Sequence, residues 1–394
     1  MVNKKIVVEA GKHSVFNAPI CATVPLEELQ GAETFTLVEE GKEESIAAQI
    51  EQVGDEARLW WIEQGLSLKQ SRVYELVPKS VSAPRYPDGP LGVRRASQVA
   101  ITEKEGATEV KIGEEFLGSL YFGKDVIRPY FHPIMGPFGS PVTRGFPMIP
   151  DVPGETRDHP HHKAFFVAHG EVNGTNNWSD AKDCGRQLAK KVTTSNGAVF
   201  GKIEMQNEWV TSGGEKVIDE TRTIRFFNLP PSARLIDLMV HFKAEETDVT
   251  FGDTKEGGIC SLRLATTMDV RRGGRIENSF GGVDEAETWG KRAHWCDYSG
   301  PVGGNWVGVA IFDHPHNLRY PTYWHVRNYG LMTANCFGLS YFKRDKSLDG
   351  SFLLKAGQEL IFRYRIYVHP GNAQSGRVAE KYNNYINPPE VSVE

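Results

Sequence analysis

The sequence lacks most of the features that would class it at a glance. Its five cysteines, Cys21, Cys184, Cys260, Cys296 and Cys336, lie far apart with no Cys-x-x-Cys pair. That argues against a zinc knuckle or a disulfide framework and for reduced, mostly buried thiols. Long apolar runs are missing too. Nothing approaches the roughly 20 residues of a membrane-spanning helix, and the run Ile6-Val7-Val8 behind Lys4 and Lys5 is too short for a secretory leader. The chain is therefore expected to work in the cytoplasm, away from membranes. There is no basic surplus: the net charge is −5, and no Lys/Arg tract offsets it, which speaks against a nucleic-acid partner. No HExxH, GxSxG, P-loop or strand-borne GxGxxG occurs. No feature sets an oligomeric state. Long helical periodicity is nearly absent, with Gly376–Asn384 its best candidate.

What is present is strand signal. Forty glycines and 22 prolines punctuate short runs of β-formers. Lys5–Val8, Thr34–Val38, Ala57–Trp61 and Arg72–Val77 predict a small β-rich unit over residues 1–95, and Ser45–Gln52 fits a strand or a short helix. Pro78 to Gly92, with Pro84, Pro87 and Pro90, predicts a linker or crossing loop. Over residues 96–394 the signals continue in Thr108–Ile112, Phe116–Phe122, Phe165–Ala168, Val199–Glu204, Thr221–Phe227, Arg234–Phe242, Val307–Phe312 and Leu360–Val368. Thr223, Arg225 and Phe227 alternate with Arg222, Ile224 and Phe226, the period of a half-buried strand. With no βαβ alternation, the expected class is all-β, a large antiparallel sandwich carrying the site, with the smaller β domain ahead of it.

Four of the twelve histidines fall within Arg157-Asp158-His159-Pro160-His161-His162-Lys163-Ala164-Phe165-Phe166-Val167-Ala168-His169-Gly170. Titratable residues packed so densely around an apolar run point to a site. Pro160 favours an extended His159, so His159 and His161 are expected to share a face, with His162 on the other. His169 would lie roughly 26 Å from His161 along an unbroken strand. His159-x-His161 is also the candidate pair for a divalent metal, the one cofactor left open.

Two more segments carry chemistry. In Phe251-Gly252-Asp253-Thr254-Lys255-Glu256-Gly257-Gly258, a Glu beside a Lys can be held ionised as a base, and Asp253 could bind hydroxyls. In Tyr323-Trp324-His325-Val326-Arg327-Asn328-Tyr329-Gly330, aromatics interleave with His, Arg and Asn, as in sites that stack and hydrogen-bond a pyranose. Here Tyr323, His325 and Arg327 should share one face and Trp324 and Val326 the other. Arg128-Pro129-Tyr130-Phe131-His132-Pro133 adds a cation and an imidazole at the end of a hairpin candidate.

These segments, with His169-Gly170-Glu171-Val172-Asn173-Gly174 and the Gly308–His314 strand, occur in the order found in a bacterial domain-of-unknown-function family catalogued as methane oxygenase PmoA-like. The chain resembles that family over most of residues 5–372. Lys163 stands where the pattern has Arg, and Asn176-Asn177-Trp178 is a loose form of its Asp-Phe-Trp. The resemblance implies a bacterial protein whose relatives accompany carbohydrate-degrading genes. The fold also resembles, more distantly, the galactose-mutarotase-like supersandwich. The resulting expectation is a protein that takes a small sugar or glycoside, with His159, His161, Glu256 and His325 as catalytic acid–base groups. Arg128, His132, His162, Asp253, Lys255, Tyr323, Trp324 and Arg327 would hold the substrate. Epimerisation, elimination and hydrolysis all fit such groups. A non-catalytic carbohydrate-binding protein and a metal-dependent oxidoreductase are the alternatives.

Overall fold

The computed structural model describes residues 4–25, 35–78 and 98–394. Thr34, the proline-rich 79–92 stretch and the division at 95/96 lie outside the described residues. Where the sequence runs fall inside, they form strands: Lys4–Glu9, Glu56–Leu66, Ser71–Pro78, Ala107–Ile112, Phe165–His169 and Lys216–Phe227 among them. The ambiguous run is the strand Ser45–Val53, and the helix near the C-terminus is Val378–Ile386.

Two eight-stranded antiparallel sheets face each other. The first runs in the order Tyr323–Val326, Leu331–Asn335, Gly257–Arg263, Phe165–His169, Tyr130–His132, Glu115–Tyr121, Ala107–Ile112, Val99–Lys104. The second is built on Arg186–Ser195, Phe200–Val210, Lys216–Phe227, Arg234–Lys243 and Glu359–Pro370, and continues through Asn305–Asp313 and Trp295–Val302 to Arg275–Asn278. Alternation decides the faces. Ile224 and Phe226 enter the shared core, where Phe226 lies 5.0 Å from Phe131 of the opposite sheet, while Phe227 faces away. Each fully buried ring of this kind contributes roughly 1.5–3 kcal/mol. The fold is an all-β sandwich.

A seven-stranded antiparallel sheet, from Val15–Pro25 at one edge to Lys4–Glu9 beyond its centre, encloses its own apolar cluster around Leu59, Trp61 and Val24. Its last strand, Glu390–Val393, comes from the far end of the chain and pairs with Lys4–Glu9. The sheet leans on the outer face of the second eight-stranded sheet. Ala47 and Ile62 pack there with Phe200, Phe227 and Phe312, and the Gln49 side chain accepts from the backbone N–H of Val199 and Phe200, both at 3.0 Å.

Candidate functional site

The first eight-stranded sheet sends one set of residues into the core and leaves the alternate set on its outer face. Phe165, Leu262, Met332, Trp324 and Val326 are core residues. Phe166, Ala168 and Leu331 instead form a small apolar floor with Trp178, with Tyr130 and Tyr329 packed against it. The histidines of the 159–162 segment gather on this floor.

The His159-Pro160-His161-His162 segment is a turn, not a strand. The backbone N–H of His162 donates to the His159 carbonyl at 3.0 Å, and His159 has φ +43°. Pro160 occupies an inner position of the turn, where its fixed φ suits it. The expected pairing of His159 with His161 against His162 is therefore corrected. His159 and His162 lie face to face, 4.8 Å apart and 3° from parallel, while His161 meets His162 edge-on at 4.3 Å. Tyr329 stacks on His159 at 5.0 Å, and Trp178 closes the other side 5.2 Å from His162.

Two buried arginines hold this turn. Arg144 donates to the carbonyls of Phe146, Asp158 and His159 at 2.8–3.0 Å and to the Asp158 carboxylate at 2.5 Å. Arg263 donates to the same carboxylate oxygen at 2.6 Å and to His162 Nδ1 at 3.2 Å. A guanidinium can only donate, so His162 Nδ1 carries the lone pair and Nε2 the proton. Burial opposes ionisation of Asp158, but Arg263 and Arg144 outweigh it and hold the carboxyl below its ordinary value. A third arginine, Arg128, is 1% exposed. It donates to the carbonyls of His161 and Ser179, and pairs with Asp180, which also takes Lys163 at 3.0 Å. Arg128 thus sits behind the site and fixes its loops.

The 252–256 segment is laid across the sheet edge by side chains beneath it. His169 Nε2 donates to the Gly252 carbonyl at 3.0 Å, Asn335 Nδ2 to Thr254 at 2.9 Å, and His325 Nδ1 to Lys255 at 2.5 Å. Gly170 is needed here: a Cβ on it would fall 2.4 Å from the Glu256 carbonyl oxygen. Asp253 accepts from the backbone N–H of Gly350 at 2.7 Å and Ser340 at 3.0 Å, so it anchors the loop beyond rather than facing the site. The Lys255 ammonium contacts the Glu256 carboxylate. Burial pushes Glu256 up, yet Lys255 and then His325 and His161 hold it below its ordinary value. His325, His161 and Glu256 therefore share one electrostatic neighbourhood. His161 is pushed down to about 4 by burial and then by Arg128, and His325 to about 4 by burial. His162 is driven well below its usual range by burial and by His161.

The remaining candidates divide. Arg327 pairs with Glu285 at 2.9 Å and lies over the Tyr329 ring, at the rim. Tyr323 stacks on Phe342 at 5.4 Å, beyond His325. Trp324 is 0% exposed and spends its Nε1 proton on the Ala293 carbonyl, so the structure does not bring it to the site. His132 is buried, and burial pushes it down to about 4. His169 is a core histidine between Phe251 and Phe337. Sequence reasoning passed over Arg144, Arg263 and Asp180. The one available signal was Arg263, a charge inside the mostly apolar run Ile259–Leu264.

Among the described residues, no group of three or more His, Cys, Asp or Glu side chains is placed to hold a metal ion. Of the three clustered imidazoles, His162 has its lone pair on Arg263, and His159 Nδ1 faces the Asp158 carboxylate at 3.2 Å. No helix among the described residues is long and apolar enough to cross a membrane. The cysteines are free, Cys21 exposed and the other four buried.

No curated protein matches the chain. Among solved structures, a galactose mutarotase related enzyme from Lactobacillus acidophilus is similar at 13% identity over 69% of this chain and 97% of that one, with a TM-score of 0.25. So loose a superposition carries no weight for activity. A family model, by contrast, matches residues 107–383, which take in both eight-stranded sheets except the edge strand Val99–Lys104, and every residue of the cluster. The chain belongs to the family of unknown function DUF6807.

Proposed function

We propose that the chain is a carbohydrate-active enzyme that moves a proton on a sugar or glycoside. The observation that carries this reading is the placement of His325, bonded to the Lys255 carbonyl, next to the Lys255–Glu256 pair, with His161 in the same electrostatic neighbourhood. The Lys255 carbonyl can only accept, so His325 Nδ1 bears the proton and Nε2 offers the lone pair of a base. Glu256, held low, is ionised at neutral pH and stabilises the imidazolium that forms. His161 stands ready to exchange the proton on the other side. The rings gathered around these groups, Tyr329 on His159 and Trp178 beside His161, give the mixed aromatic and polar lining that sugar pockets use.

The same geometry ranks the reactions. Retaining hydrolysis needs a second carboxyl about 5 Å from the first, and Asp253 is committed to the N–H groups of Gly350 and Ser340. Proton abstraction, as in epimerisation or elimination, asks only for the base and its partner. The test is incubation in deuterium oxide with keto-, amino- and ordinary glycosides, followed by NMR. Deuterium entering a ring carbon, lost in His325→Ala and Glu256→Gln, is the expected result. Exchange equal in wild type and both variants would overturn the reading.

One observation favours a second reading, a non-catalytic sugar-binding protein: Lys255 already engages the Glu256 carboxylate. Saturable sugar binding without exchange or turnover on any substrate class would select it.

A further inference from the structure

Beside the cluster, on the far side of His325, lies a cleft of about 510 Å³. Trp289 is its shared wall. Its ring meets His325 edge-on at 6.2 Å and Phe342 at 5.5 Å, and Phe342 stacks on Tyr323. The cleft is closely built. A Cβ on Gly290, which has φ +65°, would come within 3.2 Å of the Phe342 backbone, so the two walls touch at its base. The Phe342 wall is the helix Leu339–Lys343, whose first turn is anchored by Asp253, next but one to Lys255 in the chain.

The lining is strongly cationic. Lys291, Lys343 and Arg344 all border the cleft and are exposed. None of them makes a salt bridge among the described residues, although this chain, at net charge −5, pairs most of its buried and many of its exposed cations. The single acid on the lining, Glu285, is taken by Arg327 at 2.9 Å. Three cations without an acidic partner, Lys343 also lying 5.7 Å from the Tyr323 ring, surround an aromatic wall one ring away from the base, an arrangement that recognises an anion attached to a stacked ring.

We propose that this cleft is an anion-recognising subsite continuous with the His325–Glu256 site, so that the sugar ligand is acidic, carrying a carboxylate or a sulfate on the residue next to the reacting one. The inference rests on the sugar-acting reading above and names its substrate class. Lys291, Lys343 and Arg344 hold the anion, and Trp289 orients the ring that bears it.

The test is calorimetric titration of the full chain with three probes of matched length: oligogalacturonate, sulfated galactan oligosaccharide and neutral galactan oligosaccharide. Binding of one acidic probe roughly tenfold tighter than the neutral one is expected, the product of three partly screened charge contacts. Raising the salt should shrink that ratio, and Lys291→Ala/Lys343→Ala/Arg344→Ala should bring it near unity. The charge reversal Lys343→Glu, made singly on an exposed side chain, should shrink it most of the way to unity if the triple variant folds poorly. Preference for uronate over sulfate, or the reverse, identifies the anion. Equal affinity for neutral and acidic probes would overturn the subsite and leave the sugar-acting reading standing. Absence of binding to all three, with no exchange on any glycoside, would overturn both.

Discussion

His325 donates its Nδ1 proton to the carbonyl oxygen of Lys255 at 2.5 Å, and this one bond leaves Nε2 as the nitrogen that keeps the lone pair. The bond ties the orientation of the base to the backbone that carries its partner. A side chain that keeps the volume but loses the second nitrogen cannot serve both ends. We expect His325→Phe and Glu256→Gln each to lower turnover by about 10²–10⁴-fold, the usual contribution of a positioned acid–base group. Glu256→Gln should leave the unfolding midpoint within about 0.5 kcal/mol of wild type, because that side chain is 42% exposed. Turnover by NMR and unfolding in urea check the two halves separately. A fully active Glu256→Gln would remove Glu256 from the mechanism.

The titration of the cluster sets a pH profile. His161 and His325 are each pushed down to about 4, and Glu256 sits below its ordinary value. All three are in their working forms from about pH 6 upward, where the rate should be flat. Activity should fall only as the pH drops towards 4 and the imidazoles take up protons. A rate profile with an acid limb centred near 6.5, the value of a free imidazole, would show that these histidines are not the groups titrating.

Stability should follow the same histidines with a wider reach. His132 and His169 are buried, and burial pushes each down to about 4. Their folded values lie below the unfolded one near 6.5, so the unfolded chain binds more protons between those limits. The stability they contribute is present above about pH 6.5 and is lost as the pH falls to about 4, at roughly 1.4 kcal/mol per unit for each. Asp313 and Asp269 act in the opposite sense, pushed up by burial to about 7 and about 6. With His161, His314 and His325 also pushed down to about 4, the histidines outnumber them. Urea midpoints at pH 7, 6 and 5 should therefore fall steadily. A midpoint unchanged down to pH 5 would contradict the account.

Much of the fold could be read from alternation, because a half-buried strand writes its two faces into neighbouring positions. Ile224 and Phe226 against Arg225 and Phe227 is one case, and Trp324 and Val326 against His325 is another. The convergence of the His159–His162, Lys255–Glu256 and His325 segments was anticipated as a set of partners. The internal arrangement of the histidines was not. An X-Pro step is compatible with an extended chain and with a turn, and what selects the turn is Arg144, from a connecting segment, and Arg263, from another strand. Such a choice is made by tertiary hydrogen bonds, which leave no period in the sequence. For the same reason Trp324 resembled a sugar platform until its strand showed it turned inward.

A backbone prediction tests the placement of Glu256 without touching its chemistry. Gly170 leaves the strand just where Glu256 passes, and an added Cβ would sit 2.4 Å from the Glu256 carbonyl oxygen and 3.2 Å from its Cβ. The obstacle is backbone and cannot rotate away. Gly170→Ala should displace the 254–256 segment and cost about 1–3 kcal/mol, as overpacking does. It should also weaken sugar affinity with His325 and Glu256 both intact. Wild-type affinity in Gly170→Ala would mean that the exact position of this segment does not matter.

Arg144 provides the sharpest test of how the turn is held. Its guanidinium is 0% exposed, and it satisfies the carbonyls of Phe146, Asp158 and His159 as well as the Asp158 carboxylate. Burial, and next the nearby Arg263, push it down to about 10, so it remains charged at neutral pH. Arg144→Met removes one of the two cations on Asp158 and takes a donor from the carbonyls of Phe146, Asp158 and His159, the last of which keeps the His162 N–H. Breaking a pair buried on both sides costs about 3–5 kcal/mol, and here Asp158 is 37% exposed. Arg263 still holds the carboxylate at 2.6 Å, and it is relieved of a like-charged neighbour, so the loss should lie at the lower end. Arg144→Lys should not restore it, because a point charge cannot reach carbonyls spread around a planar fork. Urea unfolding measures the cost, and the ring-current shifts of the His159 and His162 protons report whether the 4.8 Å stack survives. Loss of stability with the stack intact would assign the turn to Pro160 and Arg263 alone. Loss of both would make Arg144 the residue that shapes the histidine cluster.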